Sequence, residues 1–329
     1  MHGGRMGAHA TDAVPSEETR AFARAVLLGL SESPRWLPCQ YLYDARGSEL
    51  FEQITELPEY YPTRTEVGIL ERAAPEIAAI TGPVSLIELG SGSSTKTELL
   101  LSAYAEAKRD LHYVPVDVSG AALAAAHDRI EAAHPQVHVH PIVGPYQDAF
   151  PRFREYSPCM VAFLGSTLGN FNQGESAAFW TRVTQALAPG DYFLLGADLV
   201  KDPAVLDAAY NDAAGVTAEF TKNLFVRMNR ELGAGLDVEG IEHEARYSET
   251  WQRVEIFARF ARAQTVTIAP LGARIPIPEG ERVMVEISRK FLLPDLMRYL
   301  GAFGLESRRV FTDPDEWFAL LLIQRQQGA

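Results

Sequence analysis

VSLIELGSGSSTKT (84–97) is an apolar run of strand length that ends in a glycine-rich loop and leads into the helix-forming segment TKTELLLSAYAEAKR. Glycines at 90 and 92 let a ligand lie against the backbone, because no Cβ stands in the way. A dinucleotide fingerprint would need glycine or alanine at 95, to bring the helix N-terminus onto a pyrophosphate. Position 95 is Thr, followed by Lys96. The loop therefore suits a ligand without a pyrophosphate better, and a tight structural turn is the plain alternative.

Working outward, the same alternation repeats. Short β-type runs lie at VSLIEL (84–89), HYVPVDV (112–118), VHVHPIV (137–143), CMVAFLG (159–165) and DYFLLGADL (191–199), with the helical stretches AALAAAHDRIEAAH and GESAAFWTRVTQALA between them. Nearly continuous apolar strands alternating with helices predict an α/β fold, a mostly parallel sheet with helices on both faces. Upstream, a helix begins near Glu17 with Ser16 as its N-cap, and another runs through VGILERAAPEIAAI to Thr81-Gly82-Pro83. Residues 1–15 are Gly/Ala/His-rich and are expected to form a disordered tail. After about Val200 the pattern changes: one helical stretch from DPAVLDAAY to VRMNREL, then the alternating segments RVEIFARFARAQTVTI and ERVMVEISRKF, then a last strand in FALLLIQRQ.

Composition narrows the function. Of 329 residues, 47% are hydrophobic and 22% charged, which excludes a disordered or fibrous chain. Thirty basic against 43 acidic side chains give a net charge of −13 without a basic patch, so nucleic acid and membrane surfaces are not expected partners. Cys39 and Cys159 form no thiol-rich spacing, the N-terminus has no apolar core, and no apolar run reaches membrane-spanning length. A cytoplasmic enzyme, acting as a monomer on a small molecule, is expected.

Candidate site residues gather at predicted strand ends. Asp117 closes the second strand, where a carboxylate can accept both hydroxyl protons of a ribose. Gly165 and Asn170 follow the fourth strand; the lone Asn170 amide suits the carboxylate or amine of a zwitterion, or else makes an Asx-turn. In VMVEIS, period two turns Glu286 and Ser288 to one face, an acceptor and a donor side by side, such as an imidazole needs. The alternative is a solvated face with Glu286 paired to Arg289 or Lys290. Tyr43, Tyr60 and Tyr210 could pack in the core or face a cationic ligand. His134, His138 and His140 have no acidic or thiol partner at ligand spacing, so no metal is expected.

Glu88-x-Gly90-x-Gly92 resembles the first motif of S-adenosylmethionine methyltransferases. YDARGSELFEQITELPEYYPTRTE (43–66), ELGSGSSTKT (88–97), PVDVS (115–119), FLGSTLGNF (163–171) and VEISRKF (285–291) together resemble the histidine-specific methyltransferase family, over about residues 20–325. The resemblance implies a class I, Rossmann-like methyltransferase domain over about 24–64 and 86–200, and a smaller α+β substrate domain over about 16–23, 65–85 and 201–325. It implies S-adenosyl-L-methionine, released as S-adenosyl-L-homocysteine, held by Gly90, Gly92, Lys96, Asp117 and Tyr146. Tyr60, Glu286 and Ser288 would hold the imidazole of L-histidine, and Asn170 and Tyr210 its carboxylate. Gly165 would line the pocket, while Tyr43 and Tyr60 would serve the transfer, Tyr43 near the amine through water. The implied activity is threefold Nα-methylation to hercynine, the first step of ergothioneine biosynthesis. Two positions depart from the family pattern. Gly144-Pro145-Tyr146 replaces Gly-Asp-Phe, so Asp148 or the backbone must serve adenine, and Ile256 stands where a methionine occurs. Another amino acid such as tryptophan or tyrosine as substrate, a nicotinamide or flavin enzyme, and a cofactor-binding regulator remain the alternatives.

Overall fold

Ser16 accepts a hydrogen bond from the Thr19 N–H at 3.1 Å and starts the first helix where the sequence predicts it. A computed structural model describes residues 15–92, 94–106 and 111–327. The tail expected at 1–15 therefore lies outside the described residues, apart from Pro15. The helices are α1 (Glu17–Ser31), α2 (Ala45–Thr55), α3 (Tyr61–Thr81), α4 (Thr97–Glu106), α5 (Gly120–Ala133), α6 (Gln173–Ala186), α7 (Pro203–Tyr210), α8 (Val216–Leu232) and α9 (Leu293–Gly301). The first six strands are β1 (Ser85–Leu89), β2 (Leu111–Asp117), β3 (Val137–Val139), β4 (Ile142–Val143), β5 (Cys159–Phe163) and β6 (Tyr192–Asp198). The rest are β7 (Ile241–Ser248), β8 (Arg253–Phe260), β9 (Gln264–Ile268), β10 (Ala273–Ile277), β11 (Arg282–Arg289), β12 (Leu305–Thr312) and β13 (Phe318–Arg325).

The main sheet runs in the order β12-β13-β6-β5-β1-β2-β3, with β4 also paired to β2. The pairs from β6 to β3 are parallel, and β13 enters antiparallel between β6 and β12. Successive side chains of each strand face opposite layers. Leu86, Tyr113, Met160 and Leu194 pack with Leu70 and Ile77 of α3 and Leu101 of α4 on one face. Ile87, Val114, Val161 and Phe193 pack with Phe179 and Trp180 of α6 on the other. This double coverage is why the strands read as continuous apolar runs. The expected strand 137–143 is instead two short ones, β3 and β4, with His140 and Pro141 between them; Pro141 has no N–H to give a ladder.

The chain divides into two compact units. One holds the chain up to Leu50, Thr217–Glu244 and Phe257–Glu286; the other holds Phe51–Val216, Ala245–Ile256 and the chain from Ile287. These bounds differ from the division that the resemblance implies. The stretch 65–85 and the chain after 287 belong with the sheet, because α3 buries Ile69, Leu70, Ala73 and Ile77 in one core layer and β13 pairs along β6 from Tyr192 to Asp198. In the other unit, Trp36 bridges Met284, and the Arg227 guanidinium lies over the faces of Phe22 and Tyr41. The stretch expected as one helix after 202 is two, α7 and α8, because Gly215 takes a φ of +77° and Asp212 caps Val216 at 2.8 Å.

Candidate functional site

The glycine loop is built where β1 ends. Gly90 and Gly92 take φ values of +70° and +50°, a region that L side chains enter only under strain. The Gly90 and Ser91 N–H groups donate to the Val116 carbonyl of β2 at 2.8 and 3.1 Å, and the Gly92 N–H donates to Asp117 Oδ2 at 2.9 Å. Asp117 Oδ1 accepts from the Ser119 N–H at 2.8 Å. The carboxylate is thereby fixed at the end of β2 with lone pairs to spare. A Cβ at Gly90 or Gly92 would meet nothing within 4 Å, so the space before the loop is open. Beside them the Ser91 hydroxyl is buried and meets no partner among the described residues.

Glu88 faces inward and braces this loop from below. Thr97 donates to its Oε1 at 2.5 Å, and the Tyr113 hydroxyl donates to its Oε2 while lying 2.8 Å from Ser94 Oγ, from which it can accept. Burial pushes the Glu88 carboxyl up to about 7, against the pull of the hydrogen bonds from Thr97 and Tyr113. Lys96 leaves the loop towards Glu66 of α3, with Nζ 2.5 Å from Oε2. Glu66 is wholly buried and also takes the Gly165 N–H, at 2.8 and 3.0 Å. It joins the loop after β1 to the loop after β5. Tyr146 sits 5.8–6.1 Å ring to ring from Phe150, Phe163, Phe171 and Phe179, in an aromatic cluster against the core.

The loop after β5 is tied down at both ends. Gly165 takes a φ of +71°, and Ser166 Oγ accepts the Asp198 N–H at 3.0 Å. A Cβ on Gly169 would lie 2.9 Å from the Arg289 carbonyl, so glycine there permits the short turn 167–170, ending in Asn170, to press on the end of β11. Phe291 N–H donates to the Asp198 carbonyl at 2.9 Å and brings the neighbouring Lys290 to the end of β6.

A buried polar cluster forms there. Asp198, fully buried, accepts from the Tyr61 hydroxyl at 2.8 Å, from Lys290 Nζ at 2.7 Å and from Lys201 Nζ. Lys290 also donates to Tyr210 Oη and Ser288 Oγ, each at 2.9 Å, and Tyr210 donates to Ser288 at 2.8 Å. Burial alone would raise the Asp198 carboxyl, but the two ammoniums hold it below the ordinary value. Burial lowers Lys201 to about 8 in spite of Asp198. Tyr60 sets its ring edge-on to Tyr210, with centroids 6.1 Å apart.

Of the residues singled out in the sequence, Tyr60, Tyr210 and Ser288 meet in this unit, and Gly165 lies in it just past the end of β5. Asn170 belongs to the same loop, and Gly90, Gly92, Lys96 and Asp117 lie at the ends of β1 and β2. Tyr43 and Glu286 belong to the other unit. Tyr43 meets Phe220 edge-on at 5.3 Å, and Glu286 is half-buried in β11. The proposed pairing of Glu286 with Lys290 is replaced by the Lys290 bonds to Asp198, Tyr210 and Ser288. Sequence reading missed Glu66 and Asp198, and it offered Lys290 only as a surface partner of Glu286 and Tyr61 only as one of several tyrosines. Tyr61, Glu66 and Lys290 do fall inside the stretches YDARGSELFEQITELPEYYPTRTE and VEISRKF. His112 and His140 approach to 3.0 Å, yet among the described residues no group of three or more His, Cys, Asp or Glu side chains is placed to hold a metal.

The strand order, with its single antiparallel insertion, the glycine loop after β1 and the acid closing β2, define a class I methyltransferase. The family model of S-adenosylmethionine-dependent, histidine-specific methyltransferases matches residues 22–325, and the chain belongs to that family. It is 40% identical over 305 residues to the histidine N-alpha-methyltransferase of Mycolicibacterium smegmatis, covering 93% of this chain and 95% of that one. The corresponding Mycobacterium tuberculosis protein is 39% identical over 92% of this chain and 94% of its own. Ergothioneine biosynthesis protein 1 of Neurospora crassa is 34% identical over 90% of this chain, which spans 34% of that longer protein. The family's cofactor fits the residues present. It needs open backbone at Gly90 and Gly92, a carboxylate with free lone pairs at Asp117, and polar partners of the kind that the orphaned Ser91 hydroxyl offers.

Proposed function

We propose that this enzyme transfers three methyl groups to the α-amine of L-histidine, giving hercynine, the first step of ergothioneine biosynthesis. The likeness to the two mycobacterial histidine N-alpha-methyltransferases over more than nine-tenths of each chain carries the reading. Gly90, Gly92 and Asp117 would hold S-adenosylmethionine with Lys96, and Tyr146 would close its adenine side. When bound, this cofactor supplies an electrophilic methyl on a sulfonium.

The chain's own part is placement. Ser288 and Glu286, two residues apart on β11, would read the two ring nitrogens, with Tyr60 against the ring. Tyr210 and Asn170 would take the carboxylate, and Gly165 leaves room beside them. With ring and carboxylate held, the amine is left in line for attack, and positioning supplies most of the acceleration. The amine attacks only when neutral. Its pKa, above the ~8 of a peptide amine, must be lowered by desolvation in the site. The proton leaves to solvent, and Tyr43 would reach the amine only through water, which leaves unclamped an amine that grows at each round.

The test is to incubate the enzyme with S-adenosylmethionine and a panel of free amino acids and follow mass. Gains of one, two and three methyls on histidine alone are expected. Gains on tryptophan or tyrosine instead would overturn the choice of substrate.

A further inference from the structure

We propose that Lys290 is a positioning residue that makes Ser288 a one-way hydrogen-bond donor, so that the site accepts a ring nitrogen only while it carries no proton. This rests on the reading of histidine as substrate. A hydroxyl has one proton to give and two lone pairs to fill. Both lone pairs of Ser288 Oγ are occupied, by the Tyr210 hydroxyl at 2.8 Å and by Lys290 Nζ at 2.9 Å. What remains to Ser288 is its own O–H, which can only donate.

The direction of these bonds is set behind the site. An ammonium has three N–H groups and no acceptor. Lys290 spends them on Asp198 Oδ2, Tyr210 Oη and Ser288 Oγ, and its side chain is fully buried, so no water competes. Tyr210, accepting from Lys290, turns its proton to Ser288. Asp198 is itself fixed by Tyr61 and Lys201, and its backbone by Ser166 Oγ and the Phe291 N–H. Lys290 and Tyr210 thus both donate to Ser288, and the Asp198–Lys290 ion pair holds the ammonium where it does so.

Neutral imidazole offers one N–H and one bare nitrogen, whereas imidazolium offers two N–H groups. A bare nitrogen accepts from Ser288; a protonated one meets donor against donor. The charged and titratable groups about Ser288 are Lys290, Lys201, Asp198, Tyr61 and Tyr210. On β7 and β8 are Tyr247 and the buried Glu255 with Arg246 and Arg253, and on β11 itself Arg289 neighbours Ser288 and the Glu286 carboxylate stands two residues before it. Net positive charge could also disfavour imidazolium, so the test separates charge from hydrogen-bond direction.

Histidine affinity is measured by calorimetry on enzyme saturated with S-adenosylhomocysteine, at pH 8 and pH 5.5. With a ring pKa of about 6.5, the neutral form falls about tenfold, and wild-type affinity should fall about tenfold with it. Ser288→Ala keeps every charge and removes the donor; Lys290→Met removes the charge and frees Ser288 to accept. Both should bind histidine more weakly at pH 8, and both should cut the tenfold pH effect to threefold or less. If Lys290→Met does not fold, Ser288→Ala decides. A full tenfold pH effect in Ser288→Ala, or none in wild type, overturns the proposal while leaving histidine as substrate. Failure of wild type to bind or methylate histidine at pH 8 overturns the functional reading itself.

Discussion

Replacing Glu88 by Gln tests the brace under the glycine loop. In the fold this carboxyl lies beneath Gly90, takes hydrogen bonds from Thr97 and Tyr113, and is pushed by burial from its ordinary 4.5 to about 7. A carboxyl that titrates higher in the folded chain than in the unfolded one binds the proton more tightly when folded. Its contribution is complete below pH 4.5 and is lost as pH rises through 7. At ~1.4 kcal/mol for each unit between those two values, wild type should lose about 3 kcal/mol over that interval from this group. Gln has the same shape, and its carbonyl can accept from either hydroxyl, but it does not titrate. Urea unfolding of both proteins at several pH values gives the difference, in which the other titrating groups cancel. The wild-type stability relative to Glu88→Gln should fall steadily from pH 4.5 to 7 and then level off. Parallel curves would refute the assignment of Glu88 as a buried, late-titrating carboxyl.

Gly90→Val should fold, at a backbone cost of about 1–2 kcal/mol for a side chain at φ +70°, and lose S-adenosylmethionine binding by calorimetry; normal binding would contradict the placement of the cofactor. Lys201, lowered by burial from 10.5 to about 8, releases its proton earlier in the fold than in the unfolded chain, so wild-type stability should rise by about 3 kcal/mol from pH 8 to 10.5. Lys201→Met should remove that rise, and a slope that persists in the variant would assign it to another group. Glu286→Ala should raise the histidine KM roughly tenfold to a hundredfold, the worth of one charged hydrogen bond at ~1.5–3 kcal/mol, with cofactor affinity unchanged. Unchanged histidine kinetics would take Glu286 out of the site.

The sheet was legible because burial on both faces leaves a plain mark, as in CMVAF and YFLLGAD, and because positive φ at Gly90 and Gly92 demands glycine. The edge strand β12, LESRRVFT, gave no such mark, since it is charged and only partly covered, and α2, ARGSELFEQIT, was hidden among turn-forming residues. The composition shift at 200 says nothing of a chain that comes back to pair with β6. Period two on β11 predicts Glu286 and Ser288 on one side. Burial nonetheless switches along the strand, from Val283 and Val285 to Ser288 and Lys290. What lay beyond reach was the partnership of Lys290 with Asp198, 92 residues away, and of Glu66 with Gly165, 99 residues away. Such pairs leave no periodic trace, and a buried lysine looks like a solvated one until its partner is located.

The most direct test of the whole account is to supply S-adenosylmethionine labelled with carbon-13 in its methyl group, with histidine, and locate the label by NMR. The account predicts that labelled methyl carbons accumulate on the α-nitrogen, ending as three equivalent methyls of a trimethylammonium group with both ring nitrogens unlabelled. Label on a ring nitrogen, or none on histidine at all, would contradict it.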